Sequence, residues 1–256
     1  MSNSLLSVKS LKKSFGGLDA VNVKNFELFE NQITSLIGPN GAGKTTFFDL
    51  ITRFQHSDEG SIFFNSVDVS KISTYKLARL GMVRTFQLTR VFDRMSVFEN
   101  MQFAGSSTSN EGLINSLIQN KSLKDEENKL SEKIDNILEK VNLIEMKNAY
   151  ARELSGGQKK LLELGRSLMK DPKLLLLDEP LAGVNPKLAD QILEIILDLT
   201  NQDVNILMVE HNIDAVMKIS ERVVVMAEGQ IISDGKPDYV RTDKKVIEAY
   251  LGISDE

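Results

Sequence analysis

The apolar run Ile33–Ile37 leads directly into Gly38-Pro39-Asn40-Gly41-Ala42-Gly43-Lys44-Thr45-Thr46, and a helical pattern, TTFFDLITRF, follows without a break. A strand that ends in a glycine-rich turn and restarts as a helix fits G-x-x-x-x-G-K-[ST] and commits this part of the chain to a strand–loop–helix unit. Its chemistry is that of an anion cradle. Glycines 38, 41 and 43 let the backbone wrap closely and aim N–H groups at phosphate oxygens, helped by the dipole of the helix that begins there. In such a loop Lys44 would reach the β- and γ-phosphates of a nucleotide, and Thr45 would hold Mg²⁺.

Alternation and β-branched content predict further strands at Leu5–Val8, Val21–Phe29, Ser61–Asn65, Met82–Phe86, Leu174–Asp178, Val204–Glu210 and Val223–Met226. The all-apolar runs LLLLD and ILMV suit central strands covered on both faces, and VVVMAEGQIIS reads as a hairpin turning at Glu228-Gly229. Helical patterns fall at Gly43–Arg53, Gly156–Met169, Pro186–Thr200 and Ile213–Ser220. Between Gln87 and Arg166 no strand pattern is visible. There DEENKLSEKIDNILEKV sets Leu130, Ile134, Ile137, Leu138 and Val141 on one helical face. The expected organisation is α/β: one domain over 1–256, with a core of 1–86 and 166–256 and a helical subdomain, 87–165, inserted into it.

Two more strand ends carry charge. Asp178 and Glu179 close LLLLDEP, where a buried strand can release carboxylates only at its end. Beside a phosphate loop, Asp178 suits the Mg²⁺ shell, and Glu179, on the opposite side of the chain, suits orienting or deprotonating a water. MVEHN repeats the arrangement with Glu210 and His211. His211 reads equally as a structural residue and as a donor to a γ-phosphate that would distinguish ATP from ADP.

Bulk properties remove other classes. Cysteine is absent and only His56 and His211 are present, so disulfides, thiolate metal sites and His-cluster metal sites are excluded. A net charge of −5 gives no support for a nucleic-acid partner. No apolar run reaches the roughly 18 residues of a membrane span. The opening MSNSLLSVKSLKKSFGG lacks the order of a signal peptide, so the chain is expected to stay on the side of the membrane where it is made.

LSGGQ, Leu154–Gln158, adds a second helix start whose Ser155, Gly156 and Gly157 offer backbone N–H groups to an anion. By itself it is also an ordinary capped helix. As an ordered set, GPNGAGKTT, TFQ, LSGGQ, LLLLDEP and VEHN resemble the nucleotide-binding subunits of ATP-binding-cassette (ABC) transporters over nearly the whole chain. The resemblance implies a RecA-like P-loop core with an N-terminal antiparallel β subdomain and an inserted helical subdomain, and ATP hydrolysis with ATP and Mg²⁺ as cofactors. It implies that Phe15 stacks on adenine and that Gly38–Thr46 cradle phosphate. It also implies that Gln87 links the metal and water to the membrane partner. In the same family Glu179 would be the general base, His211 the γ-phosphate switch, and Ser155–Gln158 would close on the nucleotide of a second chain. One position departs from the family pattern: Asn185 in LAGVNP stands where a loop Asp is usual, and an amide keeps hydrogen bonding but not charge.

FGGLDAV, VRTFQ, VFENM, AGVNP and VIEAYLG are similar to the subunits of importers of branched-chain and other neutral amino acids. The partners this implies are two different permeases, a second, distinct ABC ATPase and an external solute-binding protein. The implied location is peripheral, on the cytoplasmic face of the plasma membrane. Urea and short-amide importers have similar subunits. A soluble ABC ATPase would need coiled-coil arms or a second cassette, for which Lys44–Leu154 is too short and the single phosphate loop insufficient. The basic and apolar segment LTRVFDRMSVFEN has two readings. It packs the helical subdomain, or it offers Val91, Phe92 and Met95, with Arg90 and Arg94 beside them, to a permease helix.

Overall fold

The computed structural model describes residues 4–85, 91–105 and 120–251, with backbone alone for 120–124. Phe86, Gln87 and Arg90 therefore lie outside the described residues. The chain runs β1 (Ser4–Phe15), β2 (Leu18–Phe29), β3 (Ile33–Ile37), α1 (Lys44–Ile51), β4 (Glu59–Phe64), β5 (Val67–Asp68), α2 (Thr74–Arg79) and β6 (Met82–Arg84). Three longer helices follow, α3 (Val97–Gly105), α4 (Asn120–Lys140) and α5 (Gly156–Leu168). Then come β7 (Leu174–Asp178), α6 (Pro186–Thr200), β8 (Asn205–Val209) and α7 (Ile213–Ile219). The chain closes with β9 (Arg222–Ala227), β10 (Gln230–Gly235), α8 (Pro237–Thr242) and α9 (Lys244–Leu251). The described residues divide into two compact units: Met1–Gln87 with Lys173–Ala182 and Ala189–Glu256, and Leu88–Pro172 with Gly183–Leu188.

In the first unit, β1 pairs antiparallel with β2 and β4 in a sheet of order β2-β1-β4-β5. Phe15 pairs with Leu18 across Gly16 and Gly17, both at positive φ. That is the two-residue hairpin loop whose handedness matches strand twist. The strands are longer than the sequence pattern suggests, because backbone pairing carries β1 through the polar run Lys9–Ser14.

The second sheet has the order β10-β9-β3-β8-β7-β6, with β6, β7, β8, β3 and β9 parallel and β10 antiparallel at the edge. Every residue of β3, β7 and β8 is buried, so these strands read as continuous apolar runs. Phe47 and Phe48 of α1 are fully buried, and the Phe47 ring meets Phe26 of β2 edge-on at 5.3 Å. Burying each such ring contributes roughly 2–3 kcal/mol. The helix that follows the glycine loop is thus pinned by its middle, leaving its first turn free to face a ligand.

In the second unit α4 buries Ile134, Ile137 and Leu138, with Val141 just beyond its end, and half-buries Leu130. No strand occurs among the described residues of this unit, only an isolated bridge between Ser96 and Tyr150. Asn100 of α3 is fully buried and organises the segment before its own helix. Its Oδ1 accepts the Phe92 N–H at 2.9 Å, while its Nδ2 donates to the carbonyls of Phe92 (3.1 Å) and Ser96 (2.9 Å). Phe92 is held between the Phe103 ring, at 4.9 Å, and the Arg166 guanidinium, at 5.0 Å. Among the described residues no helix is long and apolar enough to cross a membrane.

Replacing Asn100 by Ala would leave the part-buried Phe92 N–H without its acceptor, remove the side-chain donor to the Phe92 and Ser96 carbonyls, and open a gap at a fully buried position. The expected cost is about 2 kcal/mol, read as a lower urea midpoint at unchanged slope.

Candidate functional site

The loop after β3 owes its shape to two close approaches. A Cβ on Gly38 would fall 2.0 Å from the Met226 carbonyl oxygen, and one on Gly43 would fall 2.3 Å from that of Ala20. Gly43 also has φ +95°, so it closes α1 from the left-handed region and no side chain caps the helix. The β9–β10 turn buttresses the loop: the Gly229 N–H donates to Ala42 O at 3.0 Å, and Gly229 O accepts from Asn22 at 2.7 Å. Around the loop lies a cavity of about 700 Å³. Its lining includes Asn40–Thr46, Glu179 and His211, and also Leu18, Asp19, Ala20 and Glu228.

Lys44 is buried, and its Nζ donates to the carbonyls of Gly38 at 2.7 Å and Pro39 at 2.9 Å. Burial lowers its pKa, and the charge of Glu179 opposes that shift. An anionic ligand would favour the charged ammonium further, so the lysine is placed to exchange two neutral carbonyls for phosphate.

The parallel order sets the carboxyl ends of β3, β8, β7 and β6 side by side, the edge where open α/β sheets bind ligands. Glu179 leaves β7 at φ +50°, with its N–H bonded to Val209 O at 2.9 Å. Its Oε1 lies 2.9 Å from His211 Nε2, which brings the two predicted residues together at the cavity wall. Asp178, buried at the end of β7, does not line the cavity. Its Oδ2 accepts from Arg84 Nη2 at 2.7 Å, while Arg84 Nη1 donates to Asp49 Oδ1 at 2.6 Å and Thr52 Oγ1 at 3.2 Å. The guanidinium also lies over Phe48 and Phe54, at 5.6 and 5.5 Å.

Phe15 ends β1 half-exposed, with the Lys13 ammonium 5.4 Å from its ring, and does not line the cavity. In the second unit, Ser155 Oγ accepts from the Gln158 N–H at 3.2 Å and Gln158 Oε1 from the Ser155 N–H at 2.9 Å. This capping box occupies the Gln158 side chain, leaving Gly156 and Gly157 as the open face of the α5 start. Gly157 has a packing reason as well, since a Cβ there would meet Leu188 Cδ2 at 1.9 Å. Asn185 Oδ1 accepts the Leu188 N–H at 3.0 Å. Gln87 is outside the described residues.

Sequence reasoning missed Arg84, although a lone arginine in the apolar strand MVRTF implies buried acids to receive it. It also missed Leu18 and Glu228 at the cavity. Tyr250 of α9 went unnoticed too: burial raises its pKa, while a hydrogen bond with the Gly38 backbone works the other way. For Mg²⁺, the Thr45 hydroxyl and Asp178 carboxylate are oxygen donors of the right kind. Among the described residues there is no group of three or more acidic or histidine side chains that could hold a metal ion.

A family model for ABC transporters matches residues 21–182. The chain belongs to the ABC transporter family. A second model, for branched-chain amino acid ATP-binding cassette transporters, matches residues 230–256. The cassette is 41% identical to the probable branched-chain amino acid transport ATP-binding protein LivG of Archaeoglobus fulgidus, over 98% of this chain and 96% of that protein. It is 40% identical to the high-affinity branched-chain amino acid transport ATP-binding protein LivG of Escherichia coli, over 98% and 99%. A crystal structure of a nucleotide-free ATP-binding cassette from an ABC transporter superposes with TM-score 0.84 at 36% identity, covering 99% of this chain and 100% of that one. The ADP conformation of such a cassette gives 0.84 at 35% identity, covering 98% and 100%. The cassette is thus an ABC ATPase in fold and in chemistry, with ATP as the nucleotide it binds and hydrolyses.

Replacing Arg84 by Met leaves Asp178 of β7 and Asp49 of α1 without their shared cation. The expected loss is about 3 kcal/mol, measured by denaturant unfolding of the full chain.

Proposed function

We propose that this chain is the ATP-hydrolysing subunit of an importer of branched-chain amino acids. The observation that carries the catalytic part is the Glu179–His211 contact of 2.9 Å at the wall of the cavity that also holds Lys44. The transport part rests on near-full-length similarity to LivG proteins named for branched-chain amino acid transport.

On this reading the chain is one nucleotide-binding domain with an inserted helical subdomain. The N–H groups of Gly38–Thr46 and the Lys44 ammonium hold the phosphates, with Phe15 stacking on the base. Thr45, Asp178 and Gln87 hold Mg²⁺, which when bound neutralises charge developing on the transferred phosphoryl group. Glu179 takes a proton from the attacking water, and His211 orients that carboxylate and senses the γ-phosphate. Arg84 keeps Asp178 in place through one oxygen. Ser155, Gly156, Gly157 and Gln158 complete the nucleotide site of a partner ATPase, so that hydrolysis follows assembly of two chains.

The partners are two permeases, a second, distinct ABC ATPase and, through the permeases, an external binding protein, with this chain peripheral on the cytoplasmic face of the membrane. The permease contact on this reading is Val91, Phe92 and Met95, with Arg90 and Arg94 beside them. Phe92 and Arg94 are exposed, Val91 and Met95 half-buried, and Asn100 bonds the backbone of Phe92.

Glu179→Gln removes the base while keeping the side chain's shape. ATP affinity is expected to hold within about twofold, with turnover and uptake of labelled leucine falling by roughly 10²-fold or more. Unchanged turnover would exclude Glu179 as the base. Reversing the charge at Arg90 and Arg94 together is expected to release the chain from membranes containing its permeases without changing ATP binding. Retention at wild-type levels in a flotation assay would remove those two from the interface.

A further inference from the structure

We propose that Glu210 is a positioning residue that locks the loop after β7 to the loop after β8 and so holds His211 against Glu179. Glu210 is the first residue beyond β8 and is only 3% exposed. Its two carboxylate oxygens are divided between the two loops. Oε1 accepts the Leu181 N–H at 2.7 Å, two residues past Glu179. Oε2 accepts the N–H of His211 at 3.0 Å and of Asn212 at 3.3 Å. One residue earlier, Val209 O takes the Glu179 N–H at 2.9 Å. The base and its histidine partner are therefore joined three ways: strand backbone to backbone, carboxylate to both loops, and side chain to side chain.

The chemistry explains why a carboxylate stands here. The Leu181 N–H is buried and must be paired, and it converges on Glu210 with two further backbone donors, part-buried, from the other loop. Only a group with two acceptor atoms and no donor can satisfy both sides at once. An amide would serve one loop and turn its own N–H₂ toward the other. A shorter carboxylate would keep the charge but not span both. Glu179 is itself in the left-handed backbone region, so its orientation depends on what fixes the residues after it. Leu181 is so fixed, by Glu210.

The inference rests on the reading of Glu179 as base and His211 as its partner, and the test separates the two. ATP turnover, KM for MgATP and thermal melting are measured on the full chain in its assembled complex. The set comprises wild type, Glu210→Gln, His211→Ala and the double variant. Glu210→Gln is expected to lower kcat roughly tenfold with KM changed less than about twofold. If Glu210 acts through His211, the double variant turns over no more slowly than His211→Ala alone. A double variant whose deficit is the product of the two single deficits overturns the inference and leaves the roles of Glu179 and His211 standing. So does a Glu210→Gln enzyme with wild-type kcat. Wild-type kcat in His211→Ala removes the partner role itself, and this inference with it. Should Glu210→Gln fail to fold, Glu210→Asp carries the same cycle, with the same non-additivity expected and the same multiplicative result against it.

Discussion

Parallel strands buried on both faces have nowhere to place charge except at their ends, and much of what this molecule does follows from that. β3, β7 and β8 are buried at every position. Their hydrogen-bonded order brings their carboxyl ends together with that of β6. Everything ionic that the first unit's sheet needs for chemistry is delivered there: Lys44 just past β3, Asp178 and Glu179 at β7, Glu210 and His211 at β8, and Arg84 at the end of β6. Strand order, set by apolar packing and ladder hydrogen bonds, thereby decides which charges become neighbours.

A site for a polyanion built beside three carboxylates would repel its ligand if those charges faced it bare. They do not. Asp178 is turned to Arg84 at 2.7 Å, and Glu210 is spent on backbone N–H groups from two loops. Of these three, Glu179 reaches the cavity wall, which Asp19 and Glu228 also line, and it is shared with His211. Against it stand Lys44 and the start of α1. Glu210 is thus committed to backbone donors and Asp178 to Arg84 through one oxygen, and Glu179 is the one that the proposed mechanism uses for proton transfer. This division follows from partners, since Asp178 and Glu179 are adjacent acids that the strand end turns toward different neighbours.

Features that depend on neighbours in sequence were legible in advance. The phosphate loop, the bounds of α6 at Pro186–Thr200, the buried face of α4 and the turn at Glu228-Gly229 each carry their signal within a few residues. Short elements such as β5, α2 and α8 were not, because two or six residues span too little of a period to register. The expected helix start at Gly43 is one residue early, since the left-handed conformation there makes it the cap. The Arg84 network joins positions 35 and 94 residues away, and the Glu210 lock reaches across 29. Such pairings are set by strand order alone, which no local pattern encodes. Gln158 was legible as part of a motif, but its use as a cap is a local geometry that competes with a ligand role.

The two helix starts of the motif set are satisfied differently, and that difference has consequences for how each would respond to an anion. At α5, Ser155 and Gln158 close a reciprocal cap, so the helix end is stable by itself and an anion adds to it. At α1 the cap position is a left-handed glycine with no side chain to accept from the first turn, and the nearby ammonium is turned back onto loop carbonyls. On the proposed reading an anion would be the missing acceptor there. A ligand that completes a helix end binds the folded loop and not the unfolded chain, so tighter nucleotide binding would add directly to the stability of the loop. The loop with its three glycines is held by Lys44 on the Gly38 and Pro39 carbonyls and by the Gly229 N–H on Ala42, and a bound nucleotide would supply to the first turn of α1 the acceptors that no side chain there provides.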